Sequence, residues 1–289
     1  MKKKTVSLVL GSGGARGYAH IGVIKELVKQ GYEIKSISGS SMGALVGGLY
    51  ASGKLEEYEK WVLSFNVLDI LKLIDFSFSK QGMINGDKVF SQIEKMIGNI
   101  NIEELPISFT ATATDIINKK EVWFQKGSLK DAIRASISIP TVFTPKEING
   151  RILFDGGILN PIPILPVASQ FADLIIAVNL NDDSNIDEKH EHIFKKDKGY
   201  IQQNIIDFFS KNISKKDNLN YFQVINKSIE AMQEVISRHQ LASHRPDIMI
   251  NISTKVCDFY DFHKAKEIIS YGEAITIDTL KKVDKKLFN

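Results

Sequence analysis

Cysteine is almost missing from this chain, which has only Cys257 among its 289 residues. A single cysteine excludes a framework of intrachain disulfides. Long apolar runs are missing too, because no stretch approaches the roughly 18 apolar residues of a membrane-spanning helix. The apolar run at residues 5–10 is shorter than the apolar core of a secretory signal, which needs about 7–15 residues. We therefore expect a cytoplasmic protein in which Cys257 is structural.

The chain also lacks a large net charge of either sign. Lys and Arg number 37 against 34 Asp and Glu, a formal net charge of +3, which gives no reason to predict a nucleic-acid partner. No metal-ligand cluster is visible in the sequence, since His190 and His192 have no cysteine partners, and residues 182–187 lack the glycine and the final glutamate of a calcium loop. We expect neither a metal ion nor a cofactor.

What is present is a repeated pattern at the start of the chain. A short apolar run over 6–10 precedes residues with helical periodicity over 19–28, and a second strand over 34–38 precedes an apolar helix over 42–51. Glycines follow each of these segments. Alternation of short strands and helices predicts an α/β fold with a mostly parallel central sheet and right-handed crossovers.

The rest of the chain continues this alternation, with an irregular helical stretch over 54–80 that either covers a site or simply packs. The patterns predict a helix from about Asp87, strands over 107–115 and 120–124, a short helix over 128–137, a hairpin turning at Asn149-Gly150, a strand over 172–180, a helix over 220–242, a strand over 246–252 and a final helix over 261–283.

We expect a single catalytic domain, 1–289, interrupted by a charged surface insertion at about 181–219. Within the insertion, an apolar stripe flanked by lysines is able either to rest peripherally on a membrane or to pack on its own domain; it consists of Ile201, Ile205, Phe208 and Phe209. The sequence leaves both alternatives open.

Ser41 is the first candidate catalytic residue. Gly39-Ser40-Ser41-Met42-Gly43 fits G-x-S-x-G and lies between a predicted strand and a predicted helix, the context in which this motif holds a nucleophile. A serine on so sharp a turn has a strained backbone, and glycines two residues away allow strand and helix to approach. The alternative is a polar residue in an ordinary turn.

The glycine-rich loop at residues 11–17, G-S-G-G-A-R-G, also follows a strand and precedes a helix. As a dinucleotide site it fits poorly, because G-x-G-x-x-G is not satisfied and Ser38 and Gly39 stand where a ribose-binding acid belongs. As an oxyanion hole it fits better, since its amides follow the strand next to the one that carries Ser41. Asp155, in Asp155-Gly156-Gly157, taken alone indicates only a turn.

Together and in this order, the three motifs resemble the patatin-like phospholipase family, especially its bacterial members related to neuropathy target esterase. Four longer stretches are also similar to the family: GARGYAHIGVIKEL, SGSSMGALVGGLYA, ASISIPTVFTP and DGGILNPIP. The likeness covers about residues 5–180 and 220–280. Two positions depart from the usual family pattern, Ser12 where a glycine is common and Gly157 where an alanine is common.

The resemblance implies a three-layer α/β/α patatin-like fold and a serine esterase or lipid acyl hydrolase of phospholipase A or lysophospholipase type. It implies Ser41 as nucleophile and Asp155 as general base, forming an acyl-enzyme. It also implies that the amides of Gly13, Gly14 and Ala15 form an oxyanion hole and that Arg16 supports the loop. A free aspartate has a pKa near 3.9 and is a weak base at neutral pH. Because the implied mechanism needs a stronger base, we expect burial to raise the pKa of Asp155.

Two other functions remain open from the residues alone. An α/β-hydrolase triad would draw its histidine from a set of five: His190, His192, His239, His244 and His263. A catalytically silent lipid-binding scaffold would keep the fold without turnover. The acyl chain, the head group and the oligomeric state are not determined by the sequence.

Overall fold

The computed structural model describes residues 4–65, 87–140, 143–194 and 221–287. The expectations for residues 66–80, for the apolar stripe at 201–209 and for most of the 181–219 insertion lie outside the described residues. The strands are β1 (Thr5–Leu10), β2 (Glu33–Ser40), β3 (Ser108–Asp115), β4 (Lys120–Phe124), β5 (Lys146–Ile148), β6 (Arg151–Asp155), β7 (Leu174–Asp182) and β8 (Ile248–Ser253).

Helices alternate with these strands, as the sequence predicts. They are α1 (Ala19–Lys29), α2 (Met42–Ala51), α3 (Leu55–Leu63), α4 (Asp87–Ile97), α5 (Leu129–Ser136), α6 (Leu165–Ala168), α7 (Tyr221–Ser243) and α8 (Ala265–Leu287), with short 3₁₀ turns between several of them. The hairpin between β5 and β6 turns at Asn149 and Gly150, whose φ angles of 51° and 72° are the positive values that such a turn requires.

The strands of the described chain form one eight-stranded sheet in the order β5-β6-β3-β2-β1-β7-β8, with β4 also paired to β3. The five strands β3, β2, β1, β7 and β8 are parallel, whereas β4, β5 and β6 extend the sheet in antiparallel pairing. The mostly parallel sheet that the sequence predicts is therefore confirmed.

The sheet is covered on both faces, because side chains alternate along each buried strand. From β1, Leu8 and Leu10 point into the larger core with helices α1, α2 and α8, whereas Val9 points to the opposite face. There it meets Val167 of α6 and, at the edge of the cluster, Leu241 of α7. The result is three α/β/α layers with the sheet in the middle.

The order of the strands determines where a ligand site belongs. The chain runs outward from β1 to β2 and β3, then returns to the other side of β1 with β7 and β8. The loop after β1 leads to one side of the sheet, and the loop after β7 leads to the other side. A crevice opens between these loops at the carboxyl ends of the strands, where open α/β sheets bind ligands. The glycine-rich loop and Ser41 both lie at this edge, at the ends of β1 and β2.

The described start of the insertion packs against the body of the protein. A 3₁₀ turn, Glu188–Ile193, places buried His190 against the last helix, where its ring bonds Asp278 at 2.7 Å. Within the described ranges, none of the helices is both long enough and apolar enough to cross a membrane.

Candidate active site

Ser41 lies on a strained turn between β2 and α2. Its φ of 55° and ψ of −124° are unusual for a residue with a side chain. The glycines two residues to either side are required because a side chain there would clash with the backbone. A Cβ on Gly39 would lie 2.4 Å from the carbonyl carbon of Gly43, and a Cβ on Gly43 would lie 2.0 Å from the carbonyl oxygen of Leu10. This close approach is the one that the G-x-S-x-G pattern predicts.

Ser136, at the end of α5, holds this turn from behind. The amide of Ser41 donates to its hydroxyl oxygen at 2.9 Å, and both residues are buried. A buried amide without an acceptor would destabilise the turn by about 1–3 kcal/mol. The hydroxyl of Ser136 therefore satisfies the buried amide of this strained residue.

Asp155 meets Ser41 at the end of β6. The hydroxyl of Ser41 donates to Oδ2 of Asp155 at 2.5 Å, and the two residues are only 2% and 3% exposed. The other carboxylate oxygen, Oδ1, accepts the amide of Gly157 at 2.7 Å, while the Asp155 amide donates to the carbonyl of Ser138 at 2.9 Å. Residues 114 positions apart are thus joined in one buried hydrogen-bonded pair.

Burial is the main influence on the Asp155 carboxyl. It raises the pKa of Asp155 from 3.8 to about 7, against the smaller lowering effect of the bonds from Ser41 and Gly157. Among the described residues, no cation forms an ion pair with Asp155. A carboxylate in this environment is a far stronger base than a solvated aspartate.

The glycine-rich loop is anchored at several points around its turn. The amides of Gly11 and Ser12 donate to the carbonyls of Val178 and Pro161 at 3.1 and 2.9 Å. His20, at the start of α1, bonds the carbonyl of Gly11 at 2.8 Å. These bonds fix the start of the loop at the carboxyl end of β1.

Two amides in the middle of the loop have no acceptor. Within the described part of the chain, neither Gly13 nor Gly14 donates its N–H to a protein oxygen. The amide of Ala15 differs, because it donates to the carbonyl of Phe259 at 2.9 Å. The expectation that Ala15 contributes an oxyanion donor thus conflicts with this bond, which leaves Gly13 and Gly14 as the available donors.

Arg16 connects this loop to two other elements. Its guanidinium donates to Glu230 of α7 at 3.1 Å and to Asn181 at the end of β7 at 3.4 Å, and the side chain is buried. Arg16 is not among the residues that line the cavity at Ser41. These contacts are those of a residue that braces the loop.

A cavity opens in front of Ser41 and Asp155. Its walls are mostly apolar, with Ile139, Pro140, Ile158, Ile229 and Phe259, and they also include Ser12, Gly13, Glu230 and Gln233. Three of these residues belong to α7, so this helix forms one wall of the site. The sequence predicts α7 but not its position over the crevice that contains Ser41 and Asp155.

Ser12 and Gly157, the two departures from the family pattern, lie against each other. A Cβ on Gly157 would lie 2.6 Å from the hydroxyl oxygen of Ser12 and 2.7 Å from the side-chain nitrogen of Gln233. The side chain at position 12 therefore fills the space that a side chain at position 157 would need.

The histidines lie elsewhere. All six histidines of the chain are within the described ranges, and none lines the cavity. His20 is fully buried at the base of the glycine-rich loop, and burial lowers its pKa to about 4. The five later candidates thus provide no third member for a triad at Ser41.

Comparison with known proteins finds relatives over most of the chain. The family model for the patatin-like phospholipases matches residues 8–168. An uncharacterised NTE family protein of Mycobacterium bovis is 36% identical over 96% of this chain and 91% of its own length. The lysophospholipase NTE1 of Debaryomyces hansenii is 32% identical over 62% of this chain and 12% of its own length.

Among solved structures, VipD from Legionella pneumophila aligns with 98% of this chain and 67% of its own chain, with 14% identity and a TM-score of 0.48. The extent of the family match identifies the chain: it belongs to the patatin-like phospholipase family, and it is a lipid ester hydrolase.

Proposed function

We propose that this protein hydrolyses lipid esters through a Ser-Asp dyad, with Ser41 as nucleophile and Asp155 as general base. The observation that carries the proposal is the 2.5 Å hydrogen bond between the Ser41 hydroxyl and a buried carboxylate whose pKa is raised to about 7. A base with a pKa near the working pH removes a proton efficiently and still gives it back to a leaving group.

In the first half of the reaction, Ser41 attacks the ester carbonyl while its proton moves to Asp155. The unpartnered amides of Gly13 and Gly14 stabilise the negative charge that develops on the carbonyl oxygen. Collapse of the intermediate breaks the bond to the alcohol, which leaves with the proton from Asp155, and an acyl group stays on Ser41. Water then releases the fatty acid.

The substrate class is that of a phospholipase A or lysophospholipase. The apolar character of the wall formed by Ile139, Ile158, Ile229 and Phe259 favours an acyl chain, and a relative named as a lysophospholipase supports a monoacyl substrate. A histidine triad lacks support, because no histidine lines the cavity. A peripheral membrane contact through the 201–209 stripe remains a second part of this proposal.

Labelling with a fluorophosphonate probe tests the proposal, because such probes bond only to an activated serine. We expect the wild-type chain to be labelled and Ser41→Ala not to be. Ser40→Ala is the matched control, since Ser40 is the neighbouring buried serine and its hydroxyl has no hydrogen-bond partner among the described residues. An unlabelled wild-type chain would favour a catalytically silent scaffold, and equal labelling of Ser41→Ala would exclude Ser41 as the nucleophile.

A further inference from the structure

Two polar side chains beside Asp155 carry atoms that lack hydrogen-bond partners. Ser12 is 1% exposed and Gln233 is 6% exposed. Among the described residues, neither the Ser12 hydroxyl nor Oε1 of Gln233 has a partner. Both residues line the cavity that contains Ser41 and Asp155. Because unpaired buried polar atoms destabilise a protein, two of them on one wall of a cavity indicate a ligand that bonds them.

Both side chains of this pair lie beside Gly157. The amide of Gly157 donates to Oδ1 of Asp155, and a Cβ at position 157 would lie 2.6 Å from the Ser12 hydroxyl oxygen and 2.7 Å from the side-chain nitrogen of Gln233. Ser41 bonds the other oxygen of the same carboxylate. The two side chains therefore lie beside the residue whose amide bonds the proposed base, and they come from two different elements, the glycine-rich loop and α7.

The second half of the proposed reaction requires a ligand in this place. A water molecule that attacks the acyl group has two hydrogens, one of which goes to the base. The other needs an acceptor that keeps the oxygen lone pair directed at the acyl carbon. Oε1 of Gln233 is an acceptor without a donor, and the Ser12 hydroxyl is also able to accept.

We propose that Gln233, together with Ser12, positions the water that hydrolyses the acyl-enzyme; this inference rests on the function proposed above. The water oxygen bonds the acyl carbon as one of its protons moves to Asp155, and the other hydrogen is donated to Gln233. The bond between the acyl carbon and Oγ of Ser41 then breaks, and that oxygen takes the proton from Asp155. The products are the free fatty acid and the unmodified enzyme. Gln233 exchanges no proton and is a positioning residue.

Stopped-flow kinetics of Gln233→Leu with p-nitrophenyl butyrate test this inference on the full chain. Because acylation continues while deacylation slows, we expect a burst of about one equivalent of p-nitrophenolate, followed by a steady-state rate about tenfold below that of the wild type. Both kcat and KM fall, and kcat/KM stays within about twofold, because that ratio depends only on the steps through acylation. Intact-mass measurement should find the butyryl group, and added hydroxylamine, a stronger nucleophile, should restore turnover.

Gln240→Leu is the matched control. Gln240 lies on the same helix seven residues further on, its Oε1 is also buried and unpaired, and its side-chain nitrogen bonds Asn160 outside the cavity. We expect this variant to show wild-type kinetics, and Ser12→Ala to show a smaller burst than Gln233→Leu.

Three results overturn the inference. Unchanged kinetics in Gln233→Leu would exclude a role in either step. A fall in kcat/KM without an acyl-enzyme would indicate that Gln233 contacts the substrate alcohol instead of water. Equal effects of Gln233→Leu and Gln240→Leu would indicate a purely structural role for this face of the helix. Ester hydrolysis that persists in Ser41→Ala would instead refute the proposed function itself, independently of Gln233.

Discussion

Ser41 and Asp155 form a hydrogen bond of 2.5 Å in a place where the carboxylate is almost sealed from solvent. The bond joins the turn after the second strand to the end of a strand on the antiparallel side of the sheet. Burial raises the pKa of the carboxyl at the same time as the bond directs it at the hydroxyl. Burial thus makes the proposed base more basic, and the hydrogen bond fixes its position relative to the hydroxyl.

The first prediction concerns the pH dependence of activity. Asp155 must be ionised to accept the proton of Ser41, and its pKa is about 7 in the folded protein. We therefore expect kcat/KM for a water-soluble ester to fall about tenfold per pH unit below that pKa and to level off above it. Initial rates between pH 5 and 9 measure this, and a rate that stays constant down to pH 5 would contradict a base with a raised pKa.

The second prediction concerns stability. Because the pKa of Asp155 is raised from 3.8 to about 7, the native state binds more protons than the unfolded state between these values. The contribution of Asp155 to the free energy of unfolding is thus fully present below pH 3.8 and is lost as pH rises through 7. Asn cannot ionise, so we expect the stability of Asp155→Asn relative to wild type to increase by on the order of 2 kcal/mol from pH 5 to pH 8.

Chemical denaturation of both proteins at the two pH values measures this difference. Protonation of His20, whose pKa is lowered to about 4, also changes stability in this range, but it does so in both proteins and cancels from the comparison. A difference in stability that does not change with pH would indicate that Asp155 titrates as a solvated aspartate.

The third prediction concerns the support of the elbow. Ser136→Ala removes the acceptor of the Ser41 amide, so we expect a loss of about 1–3 kcal/mol in stability and a lower rate of fluorophosphonate labelling. Ser138→Ala is the control, because its hydroxyl bonds Arg134 and not the elbow. Equal labelling rates in the two variants would show that the Ser136 bond does not position Ser41.

The fourth prediction concerns the close contact between positions 12 and 157. Gly157→Ala introduces a methyl group 2.6 Å from the Ser12 hydroxyl, so we expect it to lower both melting temperature and activity. Combining it with Ser12→Gly should recover part of the lost stability, giving a coupling energy of on the order of 1 kcal/mol in a double-mutant cycle. Additive effects would show that the two positions are independent.

Much of this fold follows from local sequence. Alternating apolar runs and helical periodicity locate β1, α1, β2 and α2 because each element must bury its own apolar face. The glycines around Ser41 are predictable because only residues without a Cβ permit the observed contacts with Gly43 and Leu10. Adjacent parallel strands then bring the glycine-rich loop and the elbow to one edge of the sheet.

The parts that sequence reasoning missed depend on long-range packing. Ser136 and Ser138 belong to a stretch that resembles the family, but nothing in their spacing indicates that they hold Ser41 and Asp155. The position of α7 is unpredictable for a similar reason: its face toward the site carries polar Gln233, whereas Met232 and Val235 are 55% and 45% exposed. Hydrophobic periodicity alone therefore does not predict that the side of the helix with Gln233 is the buried one.

Hydrolysis of one lipid ester by Asp155→Asn and Ser41→Ala, compared with the wild type, is the most direct test of the Ser-Asp mechanism. With both variants melting cooperatively, we expect kcat/KM to fall by about 10³-fold or more in each, because each loses a member of a unit that acts together. Turnover at the wild-type rate in either folded variant would contradict the dyad.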